Sequence, residues 1–131
     1  MLIIGAKGFA KEILEVLHIN DNIANIAFYD DVNNYQEYKL YNQFNILKNS
    51  EEASLFFKTK SNQFTIGIGS PKLRKILYDK FVSAGGFFTS VISKNAQISC
   101  GSNININRIL LINKNNNIYF GYPYLLDSLV Q

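Results

Sequence analysis

The chain opens MLIIGAKGFAKEIL, and this stretch limits the fold more than any other. Leu2-Ile3-Ile4 is a continuous apolar run ending at a glycine, the pattern of a strand buried on both faces. From Phe9 the period changes, and Ala10, Ile13, Leu14 and Leu17 recur at helical spacing, predicting one apolar stripe on a helix of about ten residues. The same alternation then repeats. Ile23 to Tyr29 reads as a second strand closed by Asp30-Asp31, residues 32–45 as a loop, and Asn45 to Leu47 as a short third strand. Ser50-Glu51-Glu52 sets a cap and two acids at a helix start, followed by Ala53, Leu55, Phe56 and Phe57. Phe64 to Ile68 is a strand, and Ser70-Pro71 caps and opens a helix whose expected buried stripe is Leu73, Ile76, Leu77 and Phe81. Gly85-Gly86 stops that helix before a last strand over Phe87 to Ile92. Strands alternating with helices imply an α/β fold: a small Rossmann-like parallel sheet with flanking helices over residues 1–92.

After Ile92 the grammar differs. Ile92, Ile98, Ile104 and Leu110 recur every six residues, as do Ile106, Ile112 and Ile118, the period of a parallel β-helix. Seven of the fifteen residues from Asn103 to Asn117 are asparagine, so an Asn/Ile mixture also yields that period by chance. Residues 93–131 are therefore read as a stub of parallel β-helix or an irregular tail.

Composition narrows the function. A chain of 131 residues with 47% hydrophobic and 14% aromatic content builds a real core and is not a disordered tail. The net charge of +3 comes from scattered residues, which argues against a nucleic-acid surface. Cys100 is the single cysteine and suits a reducing, cytoplasmic setting, and no apolar run approaches the ~20 residues of a membrane span.

The candidate ligand site lies at the strand ends. In an open α/β sheet, ligands bind beyond the carboxyl ends of strands, where helix N-termini direct N–H groups at an anion. Gly5-Ala6-Lys7-Gly8 falls at such a place, either as a phosphate cradle with Lys7 as a mobile cation or as a plain packing turn. The dinucleotide fingerprint G-x-G-x-x-G is absent, because Lys7 and Ala10 stand at two glycine positions. Asp30 and Asp31 end the second strand about 20 residues further on, where an acid accepts hydrogen bonds from a nucleoside, although aspartate is also common in turns. Gly67-Ile68-Gly69-Ser70-Pro71 is a third glycine-rich strand end on the same edge, with Ser70 a possible cap only. His18, near the end of the first helix, reads as a surface residue, and Lys72, Arg74 and Lys75 as a solvated helix face. No cluster has metal-ligand spacing.

Taken in order, MLIIGAKGFAKEILEVL, FYDD, FTIGIGSPKLRKILYDKF and FFTSVISKNAQIS resemble the bacterial sugar O-acyltransferase family, over about residues 1–104. That family includes sialic-acid O-acetyltransferase-like proteins and UDP-amino-sugar N-acetyltransferases. The resemblance implies a nucleotide-sugar-binding N-terminal domain, a left-handed β-helix of hexapeptide repeats and a trimer with acetyl-CoA between neighbouring β-helices. It further implies that Gly5, Ala6, Lys7 and Gly8 match the diphosphate loop, Asp30 and Asp31 the acids at the nucleoside, and Gly69-Ser70 the sugar pocket. Phe9 stands where the family commonly has histidine. No histidine follows His18, and NRILLINKNNNIYFGYPYLLDSLVQ does not resemble the repeats that carry the family's catalytic base. The expectation is a truncated acetyltransferase-like chain: a UDP-sugar ligand, no cofactor of its own, no transfer alone, and a monomer or weak dimer. Its rivals are a non-catalytic nucleotide-sugar-binding module and, less favoured, a fragment of an NAD-binding oxidoreductase.

Overall fold

A computed structural model describes residues 1–33, 39–41, 43–94, 109–112 and 118–121. Strand β1 (Leu2–Ile4) leads into helix α1 (Gly8–Ile19), then β2 (Ala27–Tyr29), β3 (Lys39–Leu40), β4 (Phe44–Leu47), α2 (Ser50–Thr59), β5 (Gln63–Ile66), α3 (Pro71–Ser83) and β6 (Phe87–Phe88). The six strands form one sheet in the order β3-β4-β2-β1-β5-β6. Every pairing is parallel except that of β3 with β4. The apolar opening thus becomes a central strand, with Leu2, Ile3 and Ile4 at most 1% exposed. From β1 the chain steps outward through β2 to β4, then returns to place β5 on the other side of β1. The order reverses between β1 and β5, where a crevice opens at the carboxyl ends of a doubly wound sheet.

The stripe expected on α1 is the one observed: Ala10, Ile13, Leu14 and Leu17 are buried, joined by Val16. On the α2 and α3 side, aromatic rings fill the core. Phe81 packs edge-on against Tyr29 with centroids 4.8 Å apart, and against Phe57 and Phe64 at 6.4 and 5.9 Å. Phe88 and Tyr78 extend this cluster beside Phe64. Each such ring removes a large apolar area from water, about 1.5–3 kcal/mol per buried side chain.

Several boundaries differ from the sequence reading. β2 starts at Ala27, because Asp21 and Asn25 adopt positive φ and turn the chain. Asn49, not Ser50, caps α2: its Oδ1 accepts from the Glu52 amide at 2.9 Å, while the Glu52 carboxylate accepts from the Lys48 amide at 2.8 Å. The stripe expected on α3 is rotated. Leu73 and Ile76 are 49% and 53% exposed, whereas Arg74, expected in a solvated face, is 0% exposed beside buried Phe81. β6 ends at Phe88, and the carbonyl of Ile92 instead accepts from the Asn20 side-chain amide at 2.8 Å, with Asn20 Oδ1 accepting from the Lys94 amide at 2.8 Å.

Two further strands, β7 (Ile109–Ile112) and β8 (Ile118–Gly121), pair antiparallel, with Ile112 opposite Ile118. Ile112 and Ile118, six residues apart in sequence, thus sit opposite each other in an antiparallel ladder. Residues 95–108, with Cys100 and the first proposed repeats, lie outside the described residues.

Candidate functional site

The crevice is a cleft of ≈ 280 Å³ whose lining includes Gly5, Ala6 and Lys7 from the β1–α1 turn, Asp30 to Asn33 after β2, Gly67 and Ile68 after β5, and Leu73 and Leu77 of α3. It lies where the strand order reverses, as the topology requires.

The first wall is set by Gly5. Its φ of +105° is open to glycine alone at low cost, and its amide donates to the carbonyl of Tyr29 at 2.7 Å. That bond ties the turn to the end of β2 and leads the chain into α1, whose N-cap is Lys7. The Lys7 side chain does not cap the helix, and no acid occupies its first turn. Helix N-termini of this kind favour an anion through their N–H groups and dipole.

The second wall is the turn after β2. Asp30 is 6% exposed, and its carboxylate accepts from the amides of Val32 and Asn33 at 3.0 Å each and from the Asn33 side-chain amide at 2.8 Å. Its role is to fold the turn. Asp31 is the solvent-facing acid. Its Oδ2 accepts from the hydroxyl of Tyr29 at 3.3 Å and pairs with Lys80 Nζ at 3.5 Å. Lys80 also donates to the Tyr29 hydroxyl at 3.3 Å. Burial by itself would lower the Lys80 ammonium, but its hydrogen bonds to Tyr29 and Asp31 and the negative charge of the Asp31 carboxylate leave it raised above its ordinary value.

The third wall is the end of β5. Gly67 sits so close to α1 that a Cβ there would come within 2.7 Å of Ala10 Cα, so a glycine is required for the helix to approach the strand. Arg74 Nη1 donates to the carbonyls of Ile66 at 3.0 Å and Ile68 at 2.8 Å, one on each side of Gly67. Burial pulls its guanidinium down to about 10, still a cation at neutral pH.

The structure thus gathers Gly5, Ala6, Lys7, Asp30 and Asp31 into one cleft. Four other candidates lie outside its lining. Gly8 is exposed and opens α1, and Phe9 packs half-buried against the core. Gly69 is exposed, and Ser70 caps α3, its Oγ accepting from the Leu73 amide at 3.5 Å. Sequence reasoning missed Val32, Asn33, Leu73, Leu77 and the inward turn of Arg74. His18 is exposed in the last turn of α1, away from the cleft, in a mainly apolar hollow that also includes Glu15 and Tyr41.

The chain was compared with known proteins. No curated protein matches it. Two solved structures of mutant forms of perosamine N-acetyltransferase from Caulobacter crescentus, each in complex with CoA and GDP-perosamine, share the fold. Both superpose with a TM-score of 0.59 at 21% identity, over 75% of this chain and 44% of theirs. The chain therefore spans less than half the length of these proteins. The family model described as the PglD N-terminal domain matches residues 1–81, from β1 into α3. With most of its length and the whole cleft region inside that match, the chain belongs to the PglD N-terminal domain family, the N-terminal domain of bacterial sugar acetyltransferases.

Proposed function

We propose that the cleft binds a nucleotide-sugar and that this domain holds the acceptor for a sugar acetyltransferase. The observation that carries the proposal is that an uncapped helix N-terminus with Lys7 and the half-exposed carboxylate of Asp31 line one cleft at the reversal of strand order. A diphosphate suits the amides of the β1–α1 turn and Lys7, because a helix N-terminus and a lysine both favour anions. Asp31 suits a hydrogen bond from a nucleoside N–H or O–H. Family membership supports the same reading, and the two solved neighbours hold GDP-perosamine, a ligand of this class.

The family resemblance implies a UDP-sugar and the two solved neighbours hold a GDP-sugar, so one of each is the pair of probes to compare by calorimetry. Losing a hydrogen-bonding acid that the ligand desolvates costs about 1–3 kcal/mol, so Asp31→Ala should weaken binding roughly ten- to a hundredfold. Binding of neither sugar, or binding that Asp31→Ala leaves unchanged, would reduce the glycine loop to a packing turn.

We expect no acetyl transfer from the 131 residues alone. A general base must lie within hydrogen-bond reach of the nucleophile, and the single histidine, His18, is at the far end of α1 from the cleft. Among the described residues, the hollow around His18 is mainly apolar and includes Glu15, a poor match for a CoA carrying three phosphates. We further propose that the chain works in the cytoplasm as a monomer or weak dimer. A stable trimer in light scattering would overturn the second part. Among the described residues no helix is long and apolar enough to cross a membrane.

A further inference from the structure

Lys80 lies near the end of α3, well away in sequence from every glycine and acid of the cleft, yet its ammonium reaches the group proposed to meet the nucleoside. Three contacts fix that arrangement. Lys80 Nζ stands 3.5 Å from Asp31 Oδ2, donates to the Tyr29 hydroxyl at 3.3 Å, and lies 5.2 Å from the centroid of the Tyr29 ring. Tyr29 in turn donates to the same oxygen, Asp31 Oδ2, at 3.3 Å. The tyrosine is itself immobile: it is 2% exposed, paired with Ile4 and Leu47 in the sheet, and packed on Phe81.

Both donors therefore meet one carboxylate oxygen, and Oδ1 takes part in neither contact. An exposed aspartate side chain ordinarily samples several rotamers, and a ligand that uses it must pay for fixing one. Two donors from the scaffold on Oδ2 remove most of that freedom before the ligand arrives. Their placement from different elements, β2 and α3, leaves a narrow range of orientations that satisfies both. We infer that Lys80, with Tyr29, is a positioning residue for nucleotide-sugar binding, turning Asp31 so that Oδ1 is presented to the ligand.

This inference rests on the proposed nucleotide-sugar site, and the test separates the two. UDP-N-acetylglucosamine and GDP-mannose are titrated by calorimetry into the wild-type chain and the variants Lys80→Met, Lys80→Arg, Asp31→Asn and Lys80→Met/Asp31→Asn. Thermal melts verify that each variant is folded. Lys80→Met should weaken binding about three- to fivefold, the upper end expected for losing a partly exposed ion pair, and Lys80→Arg, which keeps a donor and a charge, should recover most of it. In the Asp31→Asn background the Lys80→Met step should cost less than about twofold, because a residue that acts through Asp31 has nothing left to position. Lys75→Met, which breaks an exposed pair with Asp79 on the same helix, serves as the control and should not change affinity.

If the wild type binds and Lys80→Met binds equally well, the positioning role is wrong while the site stands. If the full loss persists in the Asp31→Asn background and fades with salt, Lys80 acts on the ligand by its own field and the inference also fails. If the wild type binds neither probe, the site and the inference fall together.

Discussion

Two strand-to-helix turns lie side by side at the cleft, Gly5 close against Gly67 and Ile68, and they meet their backbone demands in opposite ways. The β5–α3 turn is internally satisfied. Ser70 caps its helix, Pro71 occupies the first helical position, and Arg74 folds back to bind the carbonyls on both sides of Gly67. The β1–α1 turn spends its bonding on holding Gly5 to Tyr29, and its helix begins at Lys7 with no side-chain cap. Both turns are glycine-rich, and the sequence treats them as equals. The difference teaches that glycine marks a tight turn, whereas the state of the helix cap tells two such turns apart, and it is the uncapped one that the proposed anion site uses.

The sharpest way to break this comparison is at Arg74. Met in its place keeps the apolar stem but removes both hydrogen bonds, the buried one to the Ile66 carbonyl and the part-buried one to that of Ile68. Hydrogen bonds from a charged donor contribute about 1.5–3 kcal/mol each, and relief of the buried charge offsets part of the loss. Arg74→Met should therefore lower stability by about 2–4 kcal/mol in denaturant unfolding, and an unchanged midpoint would show that the third wall stands without it.

Ser70→Ala tests the same turn more gently. As a cap alone, Ser70 should contribute about 1 kcal/mol to stability and leave nucleotide-sugar affinity within about twofold. A tenfold loss of affinity at intact stability would return Ser70 to the ligand site and make the two turns alike.

The smallest effect is one of pH. The ammonium of Lys80 is raised above its ordinary 10.5, so its contribution to stability is complete below that value and is lost as pH rises through the folded-state value. Because the pair is half-exposed, the change is small. Melting temperatures compared between wild type and Lys80→Met should differ by a constant amount from pH 7 to 9 and converge above about 10.5.

The sheet was legible in the sequence because both of its signals are local. Leu2-Ile3-Ile4 followed by Gly5 announces a buried strand, and the α1 stripe follows from spacing alone. The α3 stripe was misread for a physical reason. Arg74, Tyr78 and Phe81 recur at helical spacing just as Leu73, Leu77 and Phe81 do, by steps of 4 and 3 against 4 and 4, and the usual exposure of arginine favours the second set. The two carbonyls beside Gly67, which no sequence pattern displays, are partners that favour burial of the guanidinium. The acidic pair was half legible. That an acid belongs after β2 could be read, but the division of labour could not, because it depends on which carboxylate the Val32 and Asn33 amides reach first.

Asn20 carries a consequence for how the domain connects to whatever lies beyond it. Its one amide group donates to the carbonyl of Ile92 and accepts from the amide of Lys94, at 2.8 Å each, so it reads the departing backbone as a neighbouring strand would. The chain thus leaves the sheet moored to the far end of α1, the helix whose opposite end borders the cleft. A tilt of that helix would carry the departure point with it. Geometry at the cleft and the placement of the backbone from Ile92 to Lys94 are, in mechanical terms, two ends of one lever.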